Sequence, residues 1–163
     1  MRGMLKVASL ILAGVFVLTG QPPVTPSKWV GTWTLDVRRS SFGKPLAPCV
    51  PESSEIRLTS QEIGFEADLS TSPGNRIAHL DQRLRLDGSE ASLGTGAILF
   101  VQRIDDSSFD VIGKVTSGST RIGEVSHFAF SPDGLTLTET KTQTETESGV
   151  RSSVSVLIFN KTG

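Results

Sequence analysis

FSPDGLTLTETKTQTETESGVRSSVSVLIFN, residues 130–160, is the stretch whose reading decides the fold. Pro132-Asp133-Gly134 and Glu147-Ser148-Gly149 are turn-forming triplets, and on either side of them apolar or β-branched residues alternate with polar ones. That alternation is the period of a half-buried strand, and connections this short join antiparallel neighbours. The stretch therefore predicts consecutive strands of a meander.

The same turns predict which faces point inward. A three-residue loop with Gly134 in the left-handed conformation sets Phe130 against Thr136 and Phe128 against Thr138. Applied at the second turn, it sets Thr142 against Val154, Thr140 against Val156 and Thr138 against Ile158. Thr136, Thr138, Thr140, Thr142 and Thr144 then share a face with Phe128, Phe130, Val154, Val156 and Ile158. Glu139, Lys141, Gln143 and Arg151 are left in water, and Leu135, Leu137, Leu157 and Phe159 lie outside, where the loop around Phe42 and Leu46 is available to cover them. A slip of one residue would reverse every one of these assignments.

Working outward, KWVGTWTLDVRRSSF (28–42) alternates in the same way and carries Trp29 and Trp33 on one face. Residues 38–53 hold three prolines and read as a long surface crossing. Strand-like runs follow at 55–60, 64–70, 77–86, 97–104, 109–116 and 121–131, most of them separated by turn signals such as Asp87-Gly88 and Asp105-Asp106-Ser107-Ser108. The expected fold class is all-β: an antiparallel up-and-down meander closing into a β-barrel of about 8–10 strands, because closure removes the exposed edges.

Residues 1–20 combine Arg2 and Lys6 with an apolar run from Val7 to Leu18, the layout of a secretory signal peptide. The run is short for a span of about 20 residues, so a membrane enters only through an uncleaved signal segment. Residues 21–28 are a proline-rich extended linker, and 29–163 form the barrel domain. The expected location is periplasmic or extracellular. Cys49 is the only cysteine, which excludes an intrachain disulfide and leaves a packed loop thiol or a cross-link between chains. A net charge of −1 with scattered basic residues gives no footprint for nucleic acid.

Gly31-Thr32-Trp33 resembles the G-x-W start of lipocalins and intracellular fatty-acid-binding proteins. GTWTLDVRRSSF, VQRIDDSSFDV and FSPDGLTLTET, in that order, resemble a family of small exported bacterial lipocalin-like proteins of unestablished function, over residues 29–163. The resemblance implies a lipocalin-like barrel. The lid helices of fatty-acid-binding proteins are ruled out by the prolines of 42–51, and their Arg-x-Tyr clamp by a chain without tyrosine. The lipocalin basic residue that packs on the first-strand tryptophan is matched only by Lys161.

Candidate chemistry is sparse. His79 and His127 are the only histidines, with Asp81 and Glu124 as their nearest candidate partners, too few for a zinc site. No nucleophile elbow, H-E-x-x-H, C-x-x-C or phosphate loop is present, and Asp105-Asp106 reads as turn chemistry. No metal or cofactor is expected, and a non-enzymatic role is favoured. The leading reading is a barrel holding a small, mainly apolar molecule, with Trp33, Phe128, Phe130 and Val156 as walls and Thr138 and Thr140 as hydrogen-bond donors. Its rival is a cell-envelope interaction module with a packed barrel and an apolar surface near Leu137, Leu157 and Phe159. A barrel enzyme would need an inward-facing carboxylate or histidine, for which Glu124 and His127 are nearest.

Overall fold

The computed structural model describes residues 26–163 apart from 45–49, 72–74, 94–95, 118 and 152–153. The expected signal segment, most of the linker, Leu46 and Cys49 lie outside the described residues. Ten strands follow in order: β1 (Gly31–Leu35), β2 (Val50–Leu58), β3 (Glu62–Ser70), β4 (Arg76–Arg85), β5 (Ala91–Leu93), β6 (Ala97–Arg103), β7 (Ser108–Ser117), β8 (Thr120–Phe130), β9 (Thr136–Glu145) and β10 (Ser155–Lys161). They form one antiparallel sheet ordered β4-β3-β2-β1-β10-β9-β8-β7-β6-β5. The first strand lies beside the last, and β4 comes round to β5 and β6 without a hydrogen-bonded ladder, so the barrel is nearly closed.

The strands depart from the sequence reading at the start of β2, at β5, and at the start of β10, which begins at Ser155 instead of Val150. β2 starts at Val50, inside the segment expected to be a crossing, and a register shift between Pro51 and Ser53 accommodates the proline that cannot donate to a ladder. β5 is a three-residue strand that alternation over so short a run does not signal.

The register of the β8–β9 hairpin is the main correction. Ser131 N donates to Thr136 O at 2.9 Å and Gly134 N to Ser131 O at 2.9 Å, so the loop runs from Pro132 to Leu135, one residue longer than expected. Gly134 does take a left-handed conformation, at φ 69°. The added residue sets Phe130 against Leu137 and Phe128 against Glu139. Every side chain of β9 is thereby turned over: Leu137, Glu139, Lys141 and Gln143 face inward, and the threonines face out. At β9–β10 the expected pairs Thr140 with Val156 and Thr138 with Ile158 are found. They arise from a longer turn, with Glu145 N bonded to Val150 O, offset by a one-residue shift between the Thr144–Arg151 bridge and the Lys141–Ser155 pair.

The inward face carries the core. At one end Trp29 stacks on Phe130 with ring centroids 4.8 Å apart, and Phe109 stacks on Phe128 at 4.9 Å. Trp33 meets Phe130 edge-on at 5.3 Å. Ile56, Leu58, Ile63, Leu84, Leu137, Leu157 and Phe159 fill the space around them, with Phe42 packed against the cluster. Fully burying each of these side chains is worth about 1.5–3 kcal/mol, which makes this end the thermodynamic anchor of the barrel. Leu137, Leu157 and Phe159, expected outside, are buried.

Gly31 owes its place to a close approach. Its φ is +146°, and a Cβ there would meet the Gly163 carbonyl and lie 2.6 Å from Lys161 Cε. The bare backbone lets the Lys161 stem cross β1 and hold its ammonium 5.3 Å from the Trp33 ring centroid, with Nζ donating to Lys28 O at 3.2 Å.

Candidate functional site

The six residues expected to line a pocket divide between two faces of the sheet. Trp33, Phe128 and Phe130 point into the barrel, where they pack on one another and on neighbouring rings; Trp33 and Phe128 are fully buried. Thr138, Thr140 and Val156 lie on the outer face, half-buried, with Val156 bridged to Ser41. The reversed β9 register is the physical reason: threonine and glutamate alternate there, and the longer turn chooses the glutamate face for the interior.

Beyond the aromatic end the barrel interior becomes polar. Glu124 and Ser126 from β8 face Gln143 and Lys141 of β9, and Glu139 stands opposite Phe128. Lys141 Nζ lies 3.3 Å from Glu124 Oε1 and 3.6 Å from Glu139 Oε1. Ser126 Oγ donates to Glu139 Oε1 at 2.7 Å, and Gln143 Nε2 donates to Glu124 Oε2 at 2.9 Å. Ser126, Glu139 and Gln143 are all buried, while the Lys141 side chain keeps 32% exposure. This end is therefore closed around its carboxylates and open at the ammonium.

Charge pairing overrides burial in this layer. For Glu124, desolvation alone would raise the carboxyl pKa, but the Lys141 ammonium and the Gln143 amide outweigh it and hold the pKa below the ordinary glutamate value. For Lys141, burial would favour the neutral amine, and the two carboxylates outweigh it and push the pKa well above the ordinary lysine value. Glu124 and Lys141 therefore stand as a charged pair at neutral pH.

Gln82 enters the interior from β4, where it pairs with Phe65 of β3. Its Nε2 is buried and has no hydrogen-bond partner, the one such side-chain atom among the described residues. Phe65 reaches across to Phe128 with ring centroids 5.9 Å apart, so Gln82 and Glu139 flank the same pair of rings from opposite sides of the barrel. Sequence reasoning missed Gln82, Ser126, Glu139, Lys141 and Gln143 as interior residues. Glu124, singled out as the nearest candidate for an inward acid, does face inward.

His127 faces out, bonded through Nδ1 to Asp110 Oδ1 at 2.8 Å and not to Glu124. His79 bonds Asp68 Oδ1 at 2.9 Å and not Asp81. Both are cross-strand surface pairs. Asp105 accepts bonds from the Ser107 amide at 2.6 Å and hydroxyl at 2.9 Å, the turn chemistry expected for Asp105-Asp106. Among the described residues no group of three or more His, Cys, Asp or Glu side chains could hold a metal ion. Comparison with protein-family models, with curated proteins and with solved structures finds no match to this chain.

Proposed function

We propose that this chain is an exported, lipocalin-like binding protein whose barrel takes a small, mainly apolar molecule by its polar end. The observation that carries the reading is Gln82. A buried amide donor without a partner costs about 1–3 kcal/mol, a cost a ligand acceptor can relieve. The surroundings fit such a guest: Phe65 supplies an apolar face, and Lys141, with a third of its side chain exposed, supplies a second donor. Trp33, Phe128 and Phe130 then form a packed floor beneath the site, and the polar contacts expected of Thr138 and Thr140 fall to Gln82 and Lys141. Export rests on the layout of residues 1–20.

The tight stacking of Trp29, Phe109, Phe128 and Phe130 favours a second reading, a filled barrel acting as an envelope interaction module. Native mass spectrometry of the mature chain against a library of small amphiphiles separates the two. Retained ligands that are lost in Gln82→Leu and in Lys141→Met support the binding reading. Absence of any retained ligand supports the filled barrel.

A further inference from the structure

The outer face of β6–β9 carries a groove of about 680 Å³, within the range of small-molecule sites. Two cross-strand rows build it. One is Phe100–Ile112–Val125–Thr142, an apolar stripe across four strands, roughly 14 Å at ~4.8 Å per strand. The other is Ile98–Lys114–Gly123–Thr144–Arg151. Ile98 is 44% exposed and Val125 is 41% exposed, an apolar surface laid open along the groove.

Gly123 makes the notch in the second row. A Cβ there would make only ordinary contacts, 3.7 Å to Thr144 O and 3.8 Å to Thr146 Cγ2, so backbone crowding does not demand glycine. What its missing side chain leaves is space between two cations. On that row Lys114 stands next to the notch and Arg151 beyond Thr144, and neither makes an ion pair among the described residues; Glu124, which also lines the groove, has its carboxylate held by Lys141 and Gln143 on the inner side. Glu90 lines the groove just ahead of β5, on the side away from Arg151.

We infer that this groove is a second binding site, for a free molecule with an apolar chain or ring and a single anionic head. The head sits over Gly123 between Lys114 and Arg151, with the Thr144 hydroxyl in reach, and the apolar part lies along Val125, Ile112 and Phe100. Glu90 repels an anion from the opposite end and so fixes the direction. The site is independent of whether the barrel interior is occupied.

The test uses the whole chain, isotopically labelled, titrated with dodecanoate below its micelle concentration and with dodecyltrimethylammonium as the charge-reversed control. Amide shifts are expected at Ile98–Phe100, Ile112–Lys114, Gly123–Val125 and Thr142–Thr144 with dodecanoate, and at least tenfold weaker binding of the cation. Lys114→Glu with Arg151→Glu should weaken dodecanoate at least tenfold. Gly123→Leu, which fills the notch, should remove binding while leaving the unfolding midpoint in place; if that variant does not fold, the double charge reversal decides. Equal binding of the two amphiphiles, wild-type affinity in the charge-reversed variant, or binding to phosphatidylglycerol vesicles without binding of dissolved dodecanoate would each overturn the inference. So would shifts confined to the interior residues Gln82 and Lys141, an outcome that leaves the interior reading standing.

Discussion

Replacing Gln82 by leucine should make the protein more stable and a poorer binder. The side chain is 6% exposed, its Nε2 has no partner, and its neighbour across the ladder is Phe65. An unmet buried amide costs about 1–3 kcal/mol, and leucine of similar volume removes that cost while adding apolar burial. For a domain of this size each kcal/mol moves the midpoint by about 2–4 °C, so Gln82→Leu should unfold roughly 2–12 °C above wild type. Circular dichroism melts of the ligand-free chain, with urea midpoints at constant m-value, measure the change. Greater stability combined with lost ligand retention is the signature of a polar group kept for binding. A fall in stability would mean that the amide is satisfied in the folded protein and that Gln82 offers no open donor.

The interior ion cluster makes a second prediction. Lys141→Met strands two carboxylates and should cost about 2–3 kcal/mol, less than the roughly 3–5 of a fully buried pair because Lys141 keeps 32% exposure. The pH response should change sign. In wild type the lowered Glu124 pKa contributes stability that is present above the ordinary value of 4.5 and lost as pH falls through the folded value. Without the ammonium, burial raises that carboxyl, so relative to wild type Lys141→Met should gain stability as pH falls from about 7 to 5 in urea titrations, a window in which the wild-type Glu124 contribution is flat. Gly31→Ala should cost about 1–3 kcal/mol by forcing the Lys161 stem off Trp33, and part of that cost should vanish in a Lys161→Ala background, a double-mutant cycle that isolates the crossing. The register of β9 is checked by Thr138→Lys, expected within about 0.5 kcal/mol on the outer face, against Leu137→Lys, expected to abolish folding.

Much of the architecture was legible because it depends on local signals. Asp87-Gly88, Asp105-Asp106-Ser107-Ser108 and Pro132-Asp133-Gly134 all fall at strand ends, and the alternation around Trp33 marks a strand that the fold places beside the last one. The crossing of the Lys161 stem over Gly31 was not legible, because it depends on the β1–β10 pairing that brings the two ends of the domain together. β2 was blurred at its start because Pro51 reads as a breaker, and only the register shift beside it lets the strand begin there.

The candidate site was hidden by a single unsettled choice, the length of one turn. Thr-Glu-Thr-Lys-Thr-Gln-Thr offers two faces, one of β-branched residues and one of charged and amide groups, and propensity alone assigns the first to a core. The choice of the second is physically affordable only because the charges arrive together. Lys141 lies beside Glu139 on its own strand and Glu124 on the next, Ser126 donates to the Glu139 oxygen that faces Lys141, Gln143 donates to the other oxygen of Glu124, and the packed aromatic end carries the burial energy. None of those partners is adjacent in sequence to all the others, so their mutual compensation exists only once β8 and β9 are in register. The same turn that brings them inside sends Thr142 and Thr144 outward to the groove edge beside Val125 and Gly123. Lengthening one loop by a residue therefore sets the chemistry of both faces at once, and a variant that shortened Pro132–Leu135 to three residues would be expected to exchange them or fail to fold.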